Sequence, residues 1–254
     1  MTQIPYVRST SEYPFRAQSN AKDSKCNATD ENDKMDFEEV VRSRYSCRKY
    51  LPEPVPRRTI EKILEVAQQT PSWCNCQPWQ ALLISGEAID RFRSKLYAYA
   101  AQGNPARPDF PFPLRYEGIF RERRKVCGVQ LYQALGIGRE DKASAAQQSL
   151  ENFRFFGAPH VALITTEEDL GVYGAVDCGL YVSNFMLAAQ NLGVASIAQA
   201  ALASYPDFIR DHFGLLPNRK FVCGISFGYA DADHPINGYR TARTTGAEAT
   251  TWIE

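Results

Sequence analysis

The feature that most constrains this chain is a helical segment with apolar residues on nearly every side. Residues 174–192 place Val176, Leu180, Val182 and Phe185 among small residues, with few charges between them. A helix that is apolar all round has to be buried, either in a core or in an interface between chains. This segment therefore predicts a protein organised around one buried helix.

Helical and strand patterns alternate on both sides of this segment. Apolar spacing predicts helices over 36–44, 57–69, 88–101, 119–135 and 140–155, and strands over 79–85, 160–166, 194–199 and 221–229. The pattern by itself predicts a mixed α and β protein. We expect residues 35–254 to form a single domain that ends in an extended arm from residue 230. Residues 1–34 are polar and aperiodic, which is typical of a disordered tail.

Composition excludes several classes of partner. Lys+Arg and Asp+Glu both number 29, so net charge gives no reason to expect nucleic acid or an acidic membrane surface. No apolar run of about 18 residues and no secretory signal is evident. The seven cysteines are scattered along a chain too long to need disulfides, which favours a reducing, cytoplasmic location. Cys74 and Cys76 have no second pair at metal-ligand spacing, so we expect no metal.

Signatures of common enzyme classes are missing from the sequence. The nearest match to a dinucleotide-binding G-x-G-x-x-G loop is Gly136-Ile137-Gly138, but Asp141 stands at the position of the third glycine. There is no P-loop and no G-x-S-x-G turn. The three histidines are far apart in sequence: His160, His212 and His234. The sequence therefore offers no acid–base catalytic residue.

Three segments could instead bind a ligand. Residues 42–48 place Arg42, Arg44 and Arg48 with two hydroxyl side chains at the end of a helix. This segment is either a solvated basic turn or a phosphate cradle, because guanidinium groups bind phosphate through paired hydrogen bonds. Residues 71–79 form a loop with two prolines and two tryptophans, either a rigid turn or a wall beside a flat ligand. Residues 233–243 carry Arg240 and Arg243, which either complete an anion site or lie on an exposed tail.

In order and spacing these segments resemble the nitroreductase family of flavoproteins from about residue 36 to 245. The motifs that carry the resemblance are R-Y-S-C-R at 44–48, T-P-S-W-C-N-C-Q-P-W at 70–79, D-C-G at 177–179, L-A-A-Q-N-L-G at 187–193, G-I-S-F-G-Y at 224–229, and the H-P-I-N and R-T-A-R stretches near the end. Residues 196–202 and the R-T-A-R ending look most similar to the branch that reduces nitroaromatics such as nitrobenzoates.

The resemblance implies an α+β fold and a dimeric flavoenzyme. It implies a central mixed sheet flanked by helices, with the C-terminal arm exchanged between the subunits of a homodimer. It also implies FMN as cofactor and NAD(P)H as hydride donor in a ping-pong reaction through flavin N5, with a small electron-poor acceptor such as a nitroaromatic. On the same scaffold, quinone or enone reduction, dehalogenation, flavin oxidase activity, or flavin binding without turnover stay open.

The resemblance also assigns site residues. It implies Arg44 on the FMN phosphate, Ser46 on the ribityl chain or phosphate, Arg48 near N1 and O2, and Arg243 with Arg240 closing the phosphate site. Residues that would line the cofactor from the partner subunit are Pro71, Ser72, Trp73, Asn75 and Gln77. The stretch that would approach flavin N5 through its backbone is Ala198, Gln199 and Ala200.

This chain departs from the family pattern in a few positions of the same motifs. Tyr45, itself expected at the cofactor, replaces the common Arg or His. Trp73 and Cys74 stand where small residues are usual, and Thr70 replaces Ala. We therefore expect a bulkier flavin rim and an altered choice of acceptor.

A Pro-rich, aromatic stretch at residues 103–132 is expected to act as a lid that decides acceptor specificity. Its alternative is a plain surface insertion. The side chains expected to line the acceptor pocket are Tyr116, Phe120 and Tyr132.

Overall fold

The strand-like segments form one four-stranded sheet. A computed structural model describes residues 36–254, so the predicted tail at 1–34 lies outside the described residues. The strands are β1 (Gln80–Ser85), β2 (His160–Glu167), β3 (Ala195–Gln199) and β4 (Arg219–Gly228), in the order β1-β2-β4-β3. All three strand pairs are antiparallel. The parallel component of the predicted mixed sheet is an isolated bridge between Ser46 and Ser196.

Helices surround this sheet, and the predicted α+β class is confirmed. Their bounds are α1 (Phe37–Ser43), α2 (Arg57–Ala67), α3 (Gly86–Ala101), α4 (Gly118–Ala134), α5 (Lys142–Leu150), α6 (Gly171–Asn191), α7 (Pro206–Phe213) and α8 (Gly246–Ala249). The helix predicted over 140–155 is wrong in its last turn, because residues 151–157 form a 3-10 turn. Phe155 and Phe156 take positive φ there, and both side chains are buried.

Apolar side chains are buried on both faces of the sheet. One core cluster contains Phe92, Phe155 and Leu163, and the other contains Ile164 and Phe185. Burying each of these side chains contributes about 1.5–3 kcal/mol. The two clusters explain why β2 is buried along nearly its whole length.

The long helix α6 is buried on one side only. It packs on β2 and β3, and Phe185 and Ala189 are fully buried. Val172, Val176 and Leu180 are exposed by 45–66% and follow one another at four-residue spacing, so they share one face of the helix. The stretch Glu168–Asn191 has the length and composition of a membrane span. This apolar helix is longer than the segment 174–192 that the sequence pattern predicted. Its packing against the sheet is that of a core helix. We call the exposed face of α6 the α6 stripe.

The segment predicted to be a lid has two parts. Residues 104–110 are fastened to the body, because Asp109 accepts hydrogen bonds from Arg210 at 2.6 Å and from the Phe221 N–H at 2.7 Å. Helix α4 has no buried residue. Residues 103–117 are irregular, as predicted, and α4 follows at residue 118.

The chain termini of the described region are peripheral. In α1, Val40 is buried, but Phe37 and Val41 are exposed. The last residues, 244–254, are all exposed, and they include one short helix, α8. Exchange of this arm between subunits stays a prediction.

Candidate cofactor and acceptor site

The first predicted motif lies along the free edge of β3. Residues 44–48 follow the end of α1, and the Cys47 N–H donates to the Ser196 carbonyl oxygen at 3.2 Å. Cys47 is fully buried, and the Tyr50 hydroxyl behind it donates to the Ser226 carbonyl oxygen at 3.0 Å. The core therefore fixes the backbone of the motif, while its flanking side chains stay accessible.

The C-terminal segment is tied to this motif by Asn237. The buried Asn237 side chain accepts a hydrogen bond from the Arg48 N–H at 2.9 Å and donates to the carbonyl oxygens of Lys49 and Asp231, each at 2.8 Å. Sequence reasoning included this asparagine in a motif but gave it no role. The contact brings together two segments that are 189 positions apart.

Four arginines meet at this junction. The Arg48 Nη1 donates to the Tyr239 hydroxyl at 3.0 Å, and the Arg240 guanidinium lies 3.7 Å from the centre of the Tyr45 ring. Burial lowers the pKa of Arg44, and repulsion from Arg243 lowers it further. We call the four residues the arginine cluster: Arg44, Arg48, Arg240 and Arg243.

The cluster has an excess of positive charge. Within residues 36–254, no member forms an ion pair with a carboxylate. Arg243 instead donates to the Thr241 side chain at 2.8 Å and to nearby carbonyl oxygens. Guanidinium groups gathered without acidic partners suit a phosphate, which can accept from several of them at once.

The predicted N5 stretch lies beside the cluster on β3. Ala198 and Ala200 are exposed, although Gln199 between them is buried. The Gln199 side chain is turned inward, where its amide donates to the Asn152 carbonyl oxygen at 3.1 Å and its oxygen accepts from the Ser226 hydroxyl. A ligand at this edge can therefore meet the backbone of Gln199 but not its side chain.

The second predicted motif is a closed turn. The Ser72 hydroxyl accepts from the Gln77 N–H at 2.9 Å, and the Gln77 side-chain amide donates to the Asn75 side chain at 3.2 Å. Cys74, Asn75 and Gln77 all have positive φ, between 46° and 56°. Pro71, Trp73, Asn75 and Gln77 are exposed, and Ser72 is half-buried. Left-handed backbone at three non-glycine residues costs of order 1 kcal/mol each.

Helix α6 contacts this turn through Asp177. The buried Asp177 carboxylate accepts the Trp73 N–H at 3.2 Å, and the Cys76 thiol lies 3.8 Å from the same oxygen. Asp177 was noticed in the sequence only as part of a motif. Its role depends on a contact with a residue 104 positions away, which no local pattern reveals.

The two motifs are far apart within one chain. The first borders β3 at Ser196, and the second precedes β1 at Gln80, on the opposite edge and at the opposite end of the sheet. Strand spacing of about 4.8 Å and a rise of about 3.3 Å per residue put them roughly 20 Å from each other. One chain therefore does not bring the two motifs to a common ligand.

The three predicted pocket residues are all at least partly exposed. Tyr116 and Phe120 are exposed by 43% and 64%, and Tyr132 is half-buried. The Arg124 guanidinium lies 5.2 Å from the centre of the Tyr116 ring. Helix α4, which carries Phe120 and Tyr132, packs against the Pro235–Asn237 turn, near the arginine cluster. Their role in acceptor binding stays a prediction.

A cavity of about 640 Å³ opens next to Arg48, and sequence reasoning missed most of its lining. Arg93 and Arg154 line it together with Tyr97 and Glu151. The Arg154 guanidinium lies 4.2 Å from the centre of the Tyr97 ring, and Arg93 donates to the Ala158 carbonyl oxygen at 2.6 Å. Burial lowers the pKa of Arg93. Attraction by Asp90 raises this pKa and repulsion by Arg154 lowers it, so that the net shift is downward. The cavity extends the positive region inward from the cluster.

Comparison with known proteins gives one consistent result. The sequence profile of the nitroreductase family matches residues 41–229. The protein named nitroreductase NfnB, from Mycolicibacterium smegmatis, is 38% identical over 84% of this chain and 91% of its own length. A 4-nitrobenzoate reductase from Pseudomonas putida is 34% identical over 82% of this chain and 91% of its own length.

Solved structures agree with the sequence comparisons. The FMN-dependent nitroreductase NfnB from Mycobacterium smegmatis, in complex with NADPH, has a TM-score of 0.81 at 37% identity and covers 85% of this chain and 97% of its own. The FMN and NADPH-dependent nitroreductase NfnB from a Sphigopyxis strain has a TM-score of 0.83 at 30% identity, with coverage of 87% and 100%.

Proposed function

This chain belongs to the nitroreductase family, and on that premise we propose that it is an FMN-dependent oxidoreductase that uses NAD(P)H to reduce nitroaromatic compounds. Relatives that match most of the chain are named for FMN, NADPH and nitrobenzoate. The free thiols of the cysteines in the described residues support a cytoplasmic location.

The observation that carries the proposal is the arginine cluster, whose members form no ion pair with a carboxylate of residues 36–254. Arg44 and Arg243 would hold the FMN phosphate, with Arg240 stacked on Tyr45 as their support. Arg48 would meet the polar edge of the ring, since the Tyr239 hydroxyl and the Ser46 carbonyl oxygen both orient its guanidinium. When bound, FMN supplies the two-electron carrier between NAD(P)H and the acceptor, and the chain contributes binding, orientation and charge.

A homodimer is part of the proposal, because the α6 stripe exposes a row of apolar side chains. Val172, Val176 and Leu180 form a continuous exposed face, which the exposed Ser183 and the half-buried Leu187 extend at helical spacing. An apolar face of this kind marks an interaction site. A two-fold axis lets the same stripe cover itself on a second copy of the chain.

The same two-fold axis joins the two motifs. On α6, Asp177 holds the second motif, and Gln190 donates to the Ser43 hydroxyl beside the first motif at 3.2 Å. A rise of 1.5 Å per residue separates these two points by about 20 Å, with their midpoint near Ser183. An axis through the stripe between Leu180 and Ser183 pairs the two α6 helices antiparallel. Each second motif then lies near the partner's arginine cluster.

The reaction itself is tested by product analysis. Protein reconstituted with FMN should consume NADPH and 4-nitrobenzoate together and form the hydroxylamine, which chromatography identifies. Consumption of NADPH while the nitro compound persists would contradict nitroreduction.

A further inference from the structure

Two exposed aromatic side chains stand together at the N-terminal end of α6. Trp73 and Tyr173 are exposed by 59% and 58%, and their rings meet edge to face with centroids 4.5 Å apart. Neither belongs to a core cluster of the described residues. Sequence analysis predicted Trp73 at the cofactor and assigned no role to Tyr173. We call this pair the aromatic ledge.

The backbone beneath the ledge is fixed by hydrogen bonds, although the two rings are exposed. The Trp73 N–H is fixed by the buried Asp177 at 3.2 Å, and the turn that carries Trp73 is closed by the hydrogen bond from Cys76 N–H to the Trp73 carbonyl oxygen at 3.0 Å. Tyr173 lies in the first turn of α6, two residues after its start. A fixed backbone therefore presents the two exposed rings at the surface, where a ligand can reach them.

The aromatic ledge lies beside the surface that is proposed to contact the second copy of the chain. Tyr173 borders the α6 stripe beside Val172 and Val176. In the two-fold arrangement described above, the ledge of one protomer comes to the partner's β3 edge, where Ala198 and Ala200 are exposed. Small residues at that edge leave room for a flat molecule between the edge and the ledge.

We propose that the aromatic ledge of one protomer binds the ring of the acceptor in the partner's site, and that Tyr173 is a specificity-determining residue. This inference rests on the proposed function. The occupant is a planar, electron-poor aromatic ring such as a nitrobenzoate, because an electron-poor ring is attracted to the electron-rich faces of tryptophan and tyrosine. Contacts between aromatic rings favour binding by about 2- to 12-fold beyond the burial of area.

The ledge is tested by removing one ring and keeping its bulk. In FMN-loaded Tyr173→Leu, the Kd of 4-nitrobenzoate measured by calorimetry without NAD(P)H should rise by about 2- to 12-fold. The kcat/KM for 4-nitrobenzoate should fall by the same factor, while that for ferricyanide, which has no ring, should not change. Tyr173→Phe should behave like wild type. Phe37→Leu, which removes an exposed ring on α1, is the matched control.

Three outcomes separate the claims. Tyr173→Leu with wild-type Kd and kcat/KM overturns the ledge. Equal losses for ferricyanide and for bound FMN also overturn it, because Tyr173 would then act on the fold. A wild-type protein that binds FMN but transfers no electrons contradicts the proposed function alone, since calorimetry still compares ring binding in the variants.

Mixed dimers test whether the ledge acts across the interface. A dimer of one Arg44→Gln chain and one Tyr173→Leu chain should keep one intact site and about half of the wild-type rate. A dimer of one doubly substituted chain and one wild-type chain should keep no intact site. If the first dimer is inactive and the second keeps about half of the wild-type rate, ledge and cluster of one site belong to the same chain. That result would overturn the proposal that the ledge acts in the partner's site.

Discussion

Replacing Arg44 by Gln should change thermal stability in opposite directions without and with FMN. Arg44 is half-buried, its pKa is lowered by burial and by Arg243, and it has no carboxylate partner within residues 36–254. Removing its charge should stabilise the cofactor-free protein by about 0.5–1 kcal/mol, the scale of charge pairs near a surface. For a chain of this length that raises Tm by about 1–4 °C.

With FMN the same substitution should be harmful. Losing a hydrogen bond between charged groups costs about 1.5–3 kcal/mol, which weakens FMN binding roughly 10- to 150-fold. At a free FMN concentration about 100 times the wild-type Kd, the wild type gains about 2.7 kcal/mol. A variant that binds about 30-fold more weakly gains about 0.9 kcal/mol. The loaded variant should therefore melt below the loaded wild type.

The assay is differential scanning fluorimetry of both proteins across an FMN titration, with Kd from flavin fluorescence. Arg42→Gln is the control, because Arg42 carries the same charge two residues away but pairs with Glu38 on the surface of α1. It should leave FMN affinity unchanged. If Arg44→Gln lowers the Tm of the cofactor-free protein, or binds FMN as wild type does, the reasoning about an uncompensated anion site is refuted.

Four further predictions follow from the same geometry. Arg48→Gln should lower the flavin midpoint potential by roughly 20–45 mV in a potentiometric titration, and an equal potential would remove Arg48 from the ring. Leu180→Glu should give a monomer with weakened FMN binding by light scattering, whereas a flavin-loaded dimer would contradict the interface. Tyr116→Ala with Phe120→Ala should reorder acceptors by kcat/KM and retain FMN; an unchanged ranking argues for a plain insertion. Burial lowers the pKa of His160 below 6.5, and its neutral ring accepts the Val55 N–H. The resulting stability is complete above about pH 6.5 and is lost as pH falls toward the folded pKa, so Tm against pH should be flatter in His160→Gln.

The elements that the sequence predicted well are those richest in apolar residues. The apolar runs of α6 and β2 indicate burial directly, and both segments were located to within a few residues. The 3-10 turn at 151–157 could not be predicted, because Phe155 and Phe156 take positive φ, which bulky residues rarely adopt. Tertiary burial of those two rings overrides their local preference.

The candidate site was predictable in its parts and not in its assembly. The sequence grouped Arg44 and Arg48 with the C-terminal arginines, and the structure brings them together. The hydrogen bonds from the Arg48 N–H to Asn237 and from the Trp73 N–H to Asp177 could not be predicted, because each joins distant segments of the chain. The edge-to-face contact of Tyr173 with Trp73 is also a tertiary contact that leaves no periodic signal.

The measurement that tests the central claim most directly is the visible spectrum of the protein through one anaerobic cycle. The purified chain reconstituted with FMN should show a bound-flavin spectrum, lose it on addition of NADPH, and recover it on addition of 4-nitrobenzoate. A chain that does not take up FMN, or a bound flavin that NADPH does not bleach, would contradict the assignment of this protein as an FMN-dependent nitroreductase.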